Sequence, residues 1–261
     1  MKVAGIDFFS GTEEDAISLT MTGGLVLAPS GPGIAYELVT NSCYRNALAA
    51  AKLVLPDSGA MVLAWNTLHG WQRSYRLARL SGLRYLRALI ANRHFRQPGA
   101  TFWVMPSEND LTENLEWLKN NGLEHLSRRD CYLAPTYSRS DSGEVADSRL
   151  AEILEQKHPR FVVLNVGGGT QEQLGFWLSQ HLDYRPSILC TGAAIAFLSG
   201  RQTNIPPWAD RAYLGWLLRS ISAPRKFIPR YWQARSVFWV IWKYGSRSPD
   251  LRSEAKRLDM R

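Results

Sequence analysis

The stretch Phe161-Val162-Val163-Leu164-Asn165-Val166 limits this chain's folding options most. It is apolar at all but one position, rich in β-branched residues, and too short to be a helix of its own. Gly167-Gly168-Gly169 follows at once, and a helical pattern then runs from Gln171 to about Leu182. A strand that is apolar on both faces must be covered on both faces, which places it inside a parallel sheet with helices above and below.

The same alternation recurs along the chain. Leu25 to Ala28, Leu53 to Pro56, Thr101 to Met105, Cys131 to Ala134 and Ser187 to Cys190 read as short buried strands. Val3 to Ile6 reads as an opening strand, before a helix that starts at Thr12 with acidic residues in its first turn. Further helices are expected over about Ile34 to Ala51, Ala60 to Leu68, Leu111 to Asn121 and Ser148 to Gln156. The expected fold is a Rossmann-like α/β domain over residues 1–218, followed by a basic, aromatic appendage over residues 219–261.

Charge sets the appendage apart. From Arg219 onward there are eleven Lys and Arg against three acids, which accounts for the whole net charge of +8. Aromatic residues lie between those cations, and Phe227, Tyr231, Ala234, Phe238 and Ile241 recur at the spacing of one helix face. Arg with Trp on a helix suits an anionic lipid surface, while a plain core-packed helix with a solvated basic face is the simpler alternative. Nucleic acid is not expected as a partner, because no recognised nucleic-acid motif accompanies the charge. The N-terminus has no signal-peptide pattern and no stretch approaches a bilayer span, so a cytoplasmic protein with peripheral contact at the inner face of the cell membrane is expected. Self-association is left open.

In a parallel sheet, ligands bind beyond the carboxyl ends of the strands. The turns Pro29 to Gly33, Asp57 to Gly59, Pro135 to Tyr137 and Gly167 to Gln171 all lie at such ends and are expected to converge. Asp57 is the candidate catalytic carboxylate, because small residues leave it accessible to take a proton from a hydroxyl; the alternative, common for Asp before Ser-Gly-Ala at a helix start, is a helix N-cap. Gly167, Gly168, Gly169 and Thr170 open a helix and suit a diphosphate, with Gln171 beside them to bond a sugar or base. Ser30, Gly31 and Thr136 sit in the other turns as donor-binding candidates. No DxD pair stands at a strand end, and Cys43, Cys131, Cys190 and the five histidines have no metal-ligand spacing, so neither metal nor cofactor is expected. A diphosphate would then need arginines such as Arg219, Arg225 and Arg230.

The order LVLPDSG, LNVGGGTQEQLGFWL, CTGAAIAFLSG, IPPWADRAYLGWLLRSISAPRKFIPR resembles the WecG/TagA/CpsF glycosyltransferases, from about Leu25 to Tyr231. Members carry a PDG turn, a G-x-PKQE turn, a G-x-G-x-x-x-D-x-x-x-G segment and an AP-x-W…GLEWLYR…EP-x-R ending. The resemblance carries the essential Asp onto Asp57, the Gln of PKQE onto Gln171 with Glu172 after it, the closing Trp and Arg onto Trp216 and Arg219, and the proline-basic element onto Pro224 and Arg225. It implies inverting transfer from a UDP-sugar to a polyprenyl-diphosphate-linked acceptor in surface-polysaccharide synthesis. It also implies an appendage that meets the membrane and delivers arginines to the site. A non-catalytic nucleotide-sugar-binding or scaffold protein is the alternative. The chain departs from the family pattern around Pro29-Ser30-Gly31, near Leu83-Arg84, at Met105-Pro106, at Ala196 and at Gly215, so the donor pocket is expected to differ from that of other members.

Overall fold

The computed structural model describes residues 1–71, 73–137, 144–200 and 236–249. Six strands form one wholly parallel sheet: β3 (Gly24–Leu27), β4 (Leu53–Val54), β5 (Thr101–Met105), β6 (Cys131–Leu133), β7 (Phe161–Leu164) and β8 (Ser187–Cys190). Their order across the sheet is β4-β3-β8-β7-β5-β6. The chain builds β3 and β4 on one side, moves to β5 and the edge strand β6, and then fills the centre with β7 and β8. The direction of winding therefore reverses in the middle of the sheet, where a crevice opens above the strand ends.

Period-two alternation divides the side chains of each strand between two apolar layers. Leu25, Leu27, Phe102, Val104, Val162, Leu164, Ile188 and Cys190 face one layer. Val26, Trp103, Met105, Phe161, Val163 and Leu189 face the other. The first layer is covered by α3 (Ser42–Ala50), α4 (Gly59–His69), α7 (Ser148–Lys157) and α8 (Thr170–His181). The second is covered by α1 (Glu13–Thr20), α5 (Gly82–Ala91), α6 (Glu108–Asn120) and α9 (Ala194–Leu198). Gly175 lets α8 lie close on the sheet, because a Cβ there would stand 2.8 Å from Cys190 Sγ and 2.9 Å from Leu25 Cδ1.

Three local expectations change. The opening strand is instead a two-stranded hairpin, β1 (Lys2–Val3) and β2 (Ile6–Asp7), because Ala4 and Gly5 turn the chain with φ of 46° and 82°. The helix expected from Ile34 to Ala51 is broken into a π-helical turn (Gly33–Glu37), a short α2 (Leu38–Thr40) and α3. The break is at Asn41, which is extended and whose side chain accepts from Tyr44 N–H to cap α3.

The third change concerns the last described helix, α10 (Ser236–Tyr244). Its inward stripe is Val237, Val240 and Ile241, which join the first apolar layer, and it packs on α4. Phe238 does not share that stripe; with Trp239 and Trp242 it is exposed. After α10 the chain bonds to the hairpin turn, with Ala4 N–H to Gly245 O at 2.7 Å and Gly5 N–H to Ser246 O at 3.2 Å. Of the expected appendage, residues 236–249 thus share the core of the sheet domain, and the rest lies outside the described residues. No helix among the described residues is long and apolar enough to cross a membrane.

Candidate active site

A cavity of about 380 Å³ sits above the carboxyl ends of β3, β4, β5, β7 and β8. Asp57, Gln171, Ser30, Gly167 and Gly168 line it. Gly31, Gly169 and Thr170 do not. Thr136 is also absent from the lining and is exposed, because it follows the edge strand β6 at the far end of the sheet. The Pro135 to Tyr137 turn therefore does not converge with the others. Arg219, Arg225 and Arg230, and with them Trp216 and Pro224, lie outside the described residues.

Asp57 is not the cap of the helix that follows it. Ser58 takes that role, its Oγ accepting from Met61 N–H at 3.2 Å. The Asp57 carboxylate turns instead to the start of α5, where Oδ1 accepts from Gly82 N–H at 2.9 Å. Arg79 Nε donates to the Asp57 carbonyl at 2.8 Å, which fixes the backbone of the turn. The N-terminal end of a helix attracts negative charge, so α5 holds this carboxylate at the cavity wall.

The glycine turn after β7 divides its backbone groups. Gly169, with φ of 88°, gives its N–H to Glu172 Oε2 at 2.7 Å, a capping arrangement that closes α8 on itself. That donor is then spent within the protein, and only Gly167 and Gly168 face the cavity. Gly168 lies across from Ser30: a Cβ on it would stand 3.8 Å from Ser30 Oγ. Gln171 is buried and ties two turns together. Its Oε1 accepts from Gly192 N–H at 3.2 Å and its Nε2 donates to Glu172 Oε1 at 3.4 Å. Both ends of the Gln171 amide are thus held at the cavity wall by neighbouring protein groups.

Glu172 was legible only as the residue after Gln171, yet it is the most perturbed acid here. Burial raises its carboxyl from 4.5 to about 7, opposed by hydrogen bonds from backbone N–H groups and from Gln171, and reinforced by Glu37. Between those two values the folded chain holds a proton that the unfolded chain has released, so this group weakens folding as pH rises. Glu172→Gln keeps an acceptor for Gly169 and removes the titration. Its melting temperature is expected to gain on the wild type as pH rises from 4.5 to about 7. Melting curves of both proteins across that range check this, and curves that stay parallel would contradict it.

Much of the remaining wall is apolar. Leu83, Pro106 and Ala196, three positions where the sequence departs from the family pattern, all line the cavity. Reasoning from sequence also missed Asp110 and Asn114, which come from α6, a helix that carries no motif, and Asn165 and Thr191, which lie within the runs LNVGGGTQEQLGFWL and CTGAAIAFLSG but stand outside their glycine turns. Among the described residues no group of three or more His, Cys, Asp or Glu is placed to hold a metal ion.

The glycosyl transferase WecG/TagA/CpsF family profile matches residues 1–250. The chain belongs to this family. As a WecG/TagA/CpsF protein it is a glycosyltransferase of the type that serves cell-surface polysaccharide synthesis. No curated protein matches the chain. Asp57 and Gln171, the two residues onto which the sequence resemblance carries the PDG and PKQE turns of WecG/TagA/CpsF proteins, both line this cavity.

Proposed function

We propose that the chain transfers a sugar, with inversion, from a UDP-sugar to a polyprenyl-diphosphate-linked acceptor at the inner face of the cell membrane. The observation that carries this is the Asp57 carboxylate, fixed on the wall of a cavity built from the strand-end turns of a WecG/TagA/CpsF protein. In the reaction, an acceptor hydroxyl attacks the anomeric carbon from the face opposite the diphosphate. Asp57 takes the hydroxyl proton, the new glycosidic C–O bond forms, and the bond to the diphosphate breaks to release UDP. Ser30, Gly167 and Gly168 support the donor, and Gln171 and Glu172 keep the turns after β7 and β8 in place.

The leaving diphosphate needs positive charge. Arg79 is the cation on the cavity wall among the described residues, and its Nε is engaged with the Asp57 carbonyl. Arg219, Arg225 and Arg230 are proposed to complete the diphosphate site, without a divalent metal. The test is release of UDP from a panel of UDP-sugars, with a lipid-diphosphate-linked sugar as acceptor and excess chelator present. Acceptor-dependent release that keeps most of its rate in chelator is expected. Rescue of a chelator-dead enzyme by magnesium or manganese would overturn the metal-free mechanism. Binding of the donor without any turnover would favour a scaffold.

The exposed aromatics of α10 support the peripheral-membrane reading. Trp242 is 71% exposed, and Trp71, just after α4, is 90% exposed. The end of α10 adjoins the end of α4, since a Cβ on Gly245 would stand 3.7 Å from His69 Nε2. Indoles beside cations such as Lys243, which lies 4.7 Å from the Trp239 ring centroid, suit the headgroup region of an anionic bilayer.

A further inference from the structure

Two polar residues at the base of the cavity have unmet hydrogen-bonding capacity. Asn165 and Thr191 are 8% and 5% exposed, and among the described residues neither Asn165 Oδ1 nor Thr191 Oγ1 has a partner. They come from the two central strands. Leu164 pairs with Cys190 in the β7–β8 register, and Asn165 and Thr191 each stand one residue beyond that pair. By the alternation of the strands, both side chains lie on the α5, α6 and α9 side of the sheet.

The orientation of Asn165 is fixed. Its Nδ2 donates to the carbonyls of Val104 at 3.2 Å and Val163 at 3.3 Å. Its oxygen is therefore the end without a partner, and it can only accept. The Thr191 hydroxyl can donate or accept. Buried polar atoms without partners are uncommon and destabilising, and two on adjacent strand ends lining one cavity point to a ligand.

Their position indicates which part of the ligand. Gly82, whose N–H holds Asp57, also lies against Thr191: a Cβ on Gly82 would stand 3.1 Å from the Thr191 carbonyl. Thr191 thus adjoins the residue that holds the proposed base, with Asn165 one strand further along the same cavity, where the transferred sugar belongs. A sugar offers both an apolar C–H face for the Ala196 and Phe197 side of the wall and hydrogen-bond donors at its edge.

We propose that Asn165 and Thr191 form the sugar-recognition end of the cavity, accepting a hydroxyl or acylamino hydrogen of the transferred sugar. This rests on the reading of the cavity as the donor site. Asn165 and Thr191 are then specificity residues rather than structural ones.

The test measures binding of UDP-glucose, UDP-galactose, UDP-N-acetylglucosamine and UDP-N-acetylgalactosamine to the full chain and to Thr191→Val and Thr191→Ser. Valine keeps the shape and removes the unpartnered hydroxyl. Thr191→Val is expected to melt at or above the wild-type temperature while binding the preferred donor on the order of tenfold more weakly. Thr191→Ser is expected to retain donor affinity. The hexose and N-acetylhexosamine arms separate a hydroxyl contact from an acylamino contact. Equal donor binding by wild type and Thr191→Val overturns the assignment alone, as does equal loss in the Val and Ser variants, which would make shape the cause. Failure of the wild type to bind any of the four overturns the donor-site reading and the assignment with it.

Discussion

Asp57→Asn should abolish sugar transfer while leaving the fold intact. Asparagine is nearly isosteric, and its Oδ1 can still accept from Gly82 N–H, the bond that places Asp57 at the start of α5. What it cannot do is take a proton. Loss of a positioned general base costs about 10²- to 10⁴-fold in rate. Turnover should fall by that amount, with donor affinity within a few-fold of wild type and a melting temperature within a few degrees. Measuring all three in one preparation separates a base from a donor ligand: collapse of donor binding would place Asp57 on the nucleotide-sugar instead. Near-normal turnover would remove Asp57 from the chemistry.

The second large effect is expected at the membrane. Removing the C-terminal segment is a poor test, because Val237, Val240 and Ile241 are part of the core and their loss would open it. Exposed residues give a cleaner one. Trp71→Ser combined with Trp242→Ser touches side chains that are 90% and 71% exposed, where substitution costs little stability. Sedimentation with anionic vesicles should show binding weakened on the order of tenfold or more, since both indoles are proposed to enter the interface. Turnover of a water-soluble acceptor analogue should be unchanged. Undiminished vesicle binding would move the contact elsewhere, and the basic stretch from Arg73 to Arg96 is the next candidate.

The two halves of the site depend differently on sequence. The glycine turn after β7 and the Pro56-Asp57-Ser58 turn after β4 could be located by inspection, because an apolar run ending in small residues marks both the strand and the ligand side of the sheet. Gln171 and Asp57 were therefore visible as candidates. Their partners were not. Asp57 meets Gly82 25 residues later, and Gln171 meets Gly192 21 residues later, contacts that no local pattern announces. Glu172 enters the sequence reading only as the residue after Gln171, and only its burial in the first turn of α8 sets it apart.

The chain by itself determined the class of architecture. Short runs apolar on both faces can be buried only inside a parallel sheet covered by helices, and their order along the chain follows from the same periodicity. The tertiary structure decided the order of strands across the sheet, and with it everything that depends on neighbours. It put β6 at the edge and carried Thr136 away from the cavity. It put β7 beside β8 and so brought Asn165 next to Thr191. It also selected which stripe of α10 turns inward, because that helix packs on α4 rather than standing alone. Local periodicity reports which residues need burial; which surfaces supply it depends on contacts between distant segments, and those form only when the whole chain is packed.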